Sequence, residues 1–441
     1  MKRPQTITFF GNFGTHNLGN ECTLRAIVQN TRRHLPAAML NCVCTGPQET
    51  AETHGIPAFL ISYRFGKGSG SAPSSDNAVK RLIRRLVIRV PLEAGDWLRA
   101  FRTLEHSDML VMTGTGMLGD FGISPLGLHY EILKWSIVAK LRGCQLLFVS
   151  VGAGPIRHPL SRWIVKAALS LADYRSYRDQ FSYDYLEFIG FNASRDHVYP
   201  DLAFSLLSSE APGTPPVKRD GDARVIGLGL MEYYGQHVSP HEGERVYRRY
   251  IERVAHFAAW LLEQGHSVRL LVGDLAYDRR VKGDLLRLLE DSGARFDPAR
   301  IIDEPIASPE DLLDQLAETD MVVATRFHNV LLALMLGRPV IALSYHEKLR
   351  SLMAGLGAAE YSVDVDELDV PGLIERFGRL AEDKTFTTSM KQRTDSYRRA
   401  LDEQYAQMFG DLLESTSGTA ATDGYAMPAS SSPGAVRGRV A

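Results

Sequence analysis

Short apolar runs with strand character alternate with helical patterns along almost the whole chain. Residues 6–10, 108–113, 145–151, 225–230, 268–273, 321–324 and 339–343 are rich in β-formers and mostly apolar on both faces. Strands buried on both sides belong to parallel sheets covered by helices. Between them the spacing predicts helices such as 244–264, closed by Gly265, a residue that takes the left-handed cap at little expense. Residues 208–222, dense in proline, glycine and charge, read as a linker. The expected organisation is an α/β domain over 1–207, the linker, a second α/β domain over 223–384, a helical segment over 385–414 and a disordered tail over 415–441. Residues 69–76 read as a mobile loop. Two Rossmann-like domains with parallel sheets place an interdomain cleft at their strand carboxyl ends, where ligands of such folds gather.

Composition narrows the class. With 441 residues, 44% hydrophobic and 23% charged, the chain can bury a sizeable core. Fifty Lys+Arg against 52 Asp+Glu give a net charge of −2, without the basic surplus of a dedicated nucleic-acid binder. No apolar run approaches the ~20 residues of a membrane-spanning helix, and the first apolar run is too short for a signal-peptide core of about 7–15 residues. Cys22, Cys42, Cys44 and Cys144 form no disulfide or metal pattern and are expected as buried free thiols. The expectation is a cytoplasmic protein.

Five loops that follow strands could carry chemistry. The first holds Gly11, Gly14, Asn17, Gly19, Asn20 and Glu21. The following apolar spacing makes Asn20 the expected N-cap, with free N–H groups open to an anion or hydroxyl; a tight turn and cap with no ligand is the plainer alternative. The second, Gly114-Thr-Gly116-Met-Leu-Gly119-Asp120, spells G-x-G-x-x-G. A dinucleotide site needs a carboxylate at the end of the next strand, but 145–151 runs straight into Gly152-Ala-Gly154-Pro155. A glycine turn lining a sugar site fits as well, with Asp120 free for hydroxyls. In the third, Arg178 ends a strand and could meet a carboxylate or phosphate in the cleft, or pair structurally with Asp179 or Asp173. The fourth, Tyr199-Pro200-Asp201, is ordinary turn chemistry.

The fifth carries most. Arg326 and His328 fall in the first turn of a helix starting at or just after residue 326. That positive dipole end disfavours cations by roughly 0.3–1 kcal/mol each, and an anionic ligand reverses the sign. One strand later comes Lys348, which can reach the same space. Cations after adjacent strands, with a histidine among them, form an anion site with an acid–base candidate.

In this order, the Asn17-Leu-Gly19-Asn20-Glu21 turn, Gly114 and Gly116 with Asp120, Gly152-Ala-Gly154-Pro155, Tyr177-Arg178-Asp179, Pro200-Asp201, Arg326-Phe-His328 and Tyr345-His-Glu-Lys348 resemble the polysaccharide pyruvyl transferase family from about residue 6 to 357. Asn329 stands where a small residue is more usual, and Thr115 interrupts a glycine triplet. The resemblance implies a GT-B-like arrangement and a pyruvyl (enolpyruvyl) donor, phosphoenolpyruvate, from which a pyruvate ketal is formed on two hydroxyls of a polysaccharide or lipid-linked precursor. It implies Arg178, His328 and Lys348 as residues that hold the donor and Arg326 as the arginine of the Arg-x-His motif. The two anionic groups of such a donor make Arg178, Arg326 and Lys348 the expected clamp, and His328, with an ordinary pKa of roughly 6.5, the expected catalytic acid–base group. The acceptor is expected on the first domain, at Asn17, Glu21, Gly114, Gly116 or Asp120. No metal or other cofactor is called for.

Residues 80–102 interleave Arg and Lys with Leu, Ile and Val. They could rest on an anionic membrane at the inner face of the cell and meet a lipid-linked sugar, or form a solvated helix face. Two other functions stay open. A nucleotide-sugar glycosyltransferase on the same scaffold would want a second-domain carboxylate such as Glu304; a non-catalytic glycan-binding or assembly protein would need neither.

Overall fold

The computed structural model describes residues 4–63, 90–119, 123–206, 223–235, 238–275 and 277–414. The linker 208–222, the loop 69–76, the basic residues 80–89, Asp120 and the tail 415–441 lie outside them. The first sheet holds β1 (Thr6–Gly11), β2 (Met39–Cys44), β3 (Ala58–Leu60), β4 (Met109–Thr113), β5 (Gln145–Val151), β6 (Tyr174–Tyr177) and β7 (His197–Val198), in the order β3-β2-β1-β4-β5-β6-β7. The second holds β8 (Val225–Gly229), β9 (Ser267–Leu271), β10 (Ile301–Ile302), β11 (Met321–Ala324), β12 (Val340–Ser344) and β13 (Ser362–Asp364), in the order β10-β9-β8-β11-β12-β13. Every pairing is parallel. Each order reverses beside its first strand, as in doubly wound nucleotide folds, and opens a crevice there.

Burial explains why these runs became strands. Phe9, Val111 and Leu147 enter one apolar cluster, while their neighbours Phe10, Leu110 and Phe148 enter another around Trp135. Neither sheet face of the first domain meets water at its centre, which fixes the register. The first cluster continues through Phe204, Leu401 and Tyr405 into the second domain. All four cysteines are free and buried.

The helix Phe386–Glu414 follows the second domain and returns to the first. Its Gln404 donates to Ser176 Oγ at 2.6 Å and to the Tyr174 hydroxyl at 3.3 Å, and accepts from Ser150 Oγ at 3.1 Å. Ser150 sits at φ 47°, where the β5–β6 register slips. The buried glutamine thus ties the helix to the hydroxyls around an irregular strand end. Among the described residues no helix is long and apolar enough to cross a membrane.

Candidate active site

The two domains touch at their loop ends. Leu18 N donates to Gly273 O at 3.1 Å and Leu275 N to His16 O at 3.0 Å. Asn17 is the N-cap of the helix Leu18–His34, its Oδ1 accepting from Asn20 N at 3.2 Å while its amide donates to Asp274 at 3.2 Å. The expected cap, Asn20, lies one turn further in. Glu21 is buried and accepts from Gly14 N and from His54, both at 2.8 Å. Asn17 and Glu21 therefore hold the turn in place, and their hydrogen bonds are already made within the protein.

What the turn positions is His328. A Cβ on Gly19 would overlap the His328 ring, so only glycine lets the helix start and the imidazole pack this closely. The helix Phe327–Met335 begins after β11, and the two aromatic rings of its first turn meet edge to face at 5.1 Å. Arg178 Cζ lies 4.8 Å from the Phe327 ring centre and Lys348 Nζ 5.8 Å from it. The structure thus brings Arg178, Lys348 and His328 around one phenyl ring, from three loops in two domains.

Arg178 is wedged against glycine. A Cβ on Gly152 would come within 2.6 Å of its Nε, and one on Gly116 within 3.5 Å of its Nη2. Its side chain is 6% exposed and its Nη1 pairs with Asp201 at 3.2 Å, with Asp179 at 3.5 Å from Nε. Of the two expected structural partners Asp179 is thus the one met, while Asp173 holds Lys140 at 2.7 Å. No carboxylate pairs with Lys348 among the described residues. Arg326 is differently placed. Its Nε and Nη2 reach Asp278 at 3.1 and 2.5 Å, and the same carboxylate accepts from the backbone of Gly273 and Asp274. Its charge is compensated inside the second domain.

Burial pushes the His328 imidazole down to about 3, and Arg178 and Lys348 push the same way. Its Nε2 is buried without a hydrogen-bond partner. His346, the N-cap that accepts from Lys348 N at 3.1 Å, is pushed down to about 4 by burial and the same cations. Both rings are neutral at pH 7, whereas in the unfolded chain each takes a proton near 6.5. Below that pH the unfolded state binds more protons, so ligand-free stability falls as pH drops from about 6.5 toward 4 and is intact above it. Melting temperatures between pH 5 and 8 should show this fall, reduced in His328→Gln; parallel curves for the two proteins would show that His328 is not the source.

Two cavities flank the Arg178–Lys348 pair. One of about 60 Å³ is lined by Gly116, Gly152, Tyr345 and His346; one of about 410 Å³ opens toward Tyr199 and Tyr397. Arg178, Asp179 and Lys348 line both, and His328 lines neither. Gly116 thus stands beside the cations, while Gly114 packs on the Ser150 carbonyl. Sequence reasoning missed Phe327, although it lies between the two residues singled out, and Tyr345. Burial raises the Tyr345 phenol, but Lys348, Arg326 and Arg178 together bring it below its ordinary value. Asn329 is fully buried with both amide atoms unpartnered, an arrangement that costs about 1–3 kcal/mol. Glu304 pairs with Arg269.

A putative UDP-N-acetylglucosamine 2-epimerase from Listeria monocytogenes superposes with a TM-score of 0.57 at 13% identity, covering 93% of this chain and 98% of its own. A UDP-GlcNAc 2-epimerase from Neisseria meningitidis, bound to UDP-GlcNAc, gives 0.56 at 12% over 93% and 100%. A glycotransferase of kitacinnamycin gives 0.53 at 13% over 94% and 99%. At such identities the likeness establishes the fold, the GT-B arrangement of two parallel-sheet domains. No curated protein matches the sequence. The model of the polysaccharide pyruvyl transferase family matches residues 17–347, a span that takes in every loop around the Phe327 ring except Lys348, one residue beyond it. The chain belongs to the polysaccharide pyruvyl transferase family and is an enzyme of that type.

Proposed function

We propose that the protein takes the pyruvyl group of phosphoenolpyruvate and sets it across two hydroxyls of a sugar in a polysaccharide or lipid-linked precursor, releasing phosphate. The family implies a pyruvyl donor and a glycan acceptor; the convergence of Arg178 and Lys348 on Phe327, beside an imidazole with an unpartnered nitrogen, supports this particular donor. Its carboxylate and phosphate require fixed cations. Lys348, which pairs with no carboxylate among the described residues, and Arg178, which lines both cavities with it, supply them. Arg326 acts at one remove, holding Asp278, which in turn fixes the backbone of Gly273 and Asp274.

In the reaction a proton adds to the methylene carbon and C2 becomes electrophilic. The first hydroxyl oxygen bonds to C2 and gives up its proton. The C2–O bond to phosphorus then breaks, phosphate leaving with the electron pair, and the second hydroxyl closes the ketal. Of the two hydroxyl protons, one replaces that taken by the methylene carbon and one leaves with phosphate. His328 exchanges these protons. Burial and the two cations hold it neutral behind the Phe327 ring; an anion against Arg178 and Lys348 offsets their charge and raises its pKa toward the working range.

Thermal shift with separate ligands tests the donor. A ligand at a hundred times its dissociation constant stabilises by about 2.7 kcal/mol. Phosphoenolpyruvate should raise the melting temperature, nucleotide sugars should not, and phosphate should appear with an acceptor present. Stabilisation by a nucleotide sugar alone would overturn the assignment in favour of a glycosyltransferase.

A further inference from the structure

We infer that the 410 Å³ cavity beside Arg178 and Lys348 is the acceptor subsite, and that its occupant is a pyranosyl ring. This rests on the proposed function and adds where the glycan enters. Its volume lies within the range of about 300–1,000 Å³ typical of small-molecule sites, far more than a three-carbon donor fills. The floor is buried: Phe204 and Phe327, with Arg178 and Asp201. The mouth is open, at Val198 (40% exposed) on one side and at Ala354 and Gly355 on the other.

The lining chooses between occupants. A small, multiply charged donor gains nothing from Tyr199, Phe204, Leu352 and Tyr397, and its cations are equally reachable from the small glycine-lined cavity on the other side. An alkyl chain gains from the aromatic walls but would meet Asp179 and Asp201 at the floor, where burying a charge against hydrocarbon is costly. A pyranose satisfies both. Its C–H faces pack on aromatic rings while its hydroxyls reach polar groups such as Asp179, Gln180 and Ser351. Tyr397 is fixed edge-on to Phe204 at 5.1 Å, and the Tyr199 hydroxyl donates to Gln407 at 3.4 Å, so both platforms are braced by their neighbours. Because Arg178, Asp179 and Lys348 line both cavities, a donor held against these cations meets a hydroxyl arriving through the large one at that shared wall.

Saturation-transfer NMR with methyl pyranosides of glucose, galactose and mannose, together with octyl glucoside, tests the assignment. We expect transfer to the ring C–H protons of at least one methyl pyranoside, reduced about tenfold in Ala354→Trp, which fills the mouth from an exposed helix position. Phosphoenolpyruvate should shift the melting temperature of that variant as it does the wild type. Tyr397→Ala should lose the transfer too, but it also removes the brace on Phe204, so Ala354→Trp decides. Three results would overturn the assignment: no pyranoside receives saturation; Ala354→Trp leaves the transfer intact; or saturation is confined to the octyl chain, which would make the cavity a lipid site. A wild type that ignores phosphoenolpyruvate yet passes the pyranoside test would retire the donor and leave the subsite standing.

Discussion

Replacing His328 with alanine should reduce phosphate release from phosphoenolpyruvate by about 10²–10⁴-fold, the span that a positioned acid–base group contributes, while the protein stays folded. The imidazole makes no hydrogen bond through its buried Nε2, so its removal costs the fold its packing on Gly19 and Phe327 and strands no partner of that nitrogen. The reaction loses the group that can carry a proton between hydroxyl and methylene carbon. A phosphate-release assay with saturating donor reads the effect, and thermal shift with phosphoenolpyruvate shows whether the donor still binds. Turnover at the wild-type rate would remove His328 from the chemistry and direct attention to Tyr345, whose phenol the same cations bring below its ordinary value.

Arg178 should behave in the opposite way, because it serves the fold and the donor together. Its guanidinium compensates Asp201, a carboxylate that is itself almost fully enclosed and whose pKa burial raises. Arg178→Met strands that carboxylate and should cost on the order of 3–5 kcal/mol, less as Asp201 takes up a proton. Adding Asp201→Asn should recover most of the stability while donor affinity stays lost. Chemical denaturation gives the first quantity and the phosphoenolpyruvate-induced shift the second. A double variant that binds the donor as wild type does would make Arg178 a scaffold residue and leave Lys348 to hold the anion alone.

The architecture was legible where burial is symmetrical. The runs 145–151 and 321–324 coincide with β5 and β11 because both faces of these strands are apolar and each ends at a loop of small or polar residues. The edge strands β3, β7, β10 and β13 have two or three residues each, too few to show a period. The N-cap moved from Asn20 to Asn17 because two asparagines three residues apart satisfy the same local rule. The choice is made by Asp274, 257 residues away, which takes the Asn17 amide.

The candidate site was legible as charge and illegible as pairing. Glycines, arginines, a histidine and a lysine after strand ends announce an anion pocket. Nothing local says that Arg178 meets Asp201 or that Arg326 is matched by Asp278, since those partners are brought together by the sheets. The same holds for Gly19. Its position in a glycine-bearing turn implied room for a ligand, and the structure uses that room for the ring of His328.

The return of the last helix onto the first sheet has a consequence for dissecting this enzyme. Gln404 is rooted among Ser150, Tyr174 and Ser176, so the polypeptide laces its halves together at both ends of the later one. Separating the chain between residues 206 and 223 would produce an amino-terminal fragment missing the plug for its own irregular strand and a carboxy-terminal fragment whose last helix keeps its contact with the helix 327–335 and loses its seat on the first domain. The halves are separable by eye but were made as a single braid, closed by a helix that grips both of them.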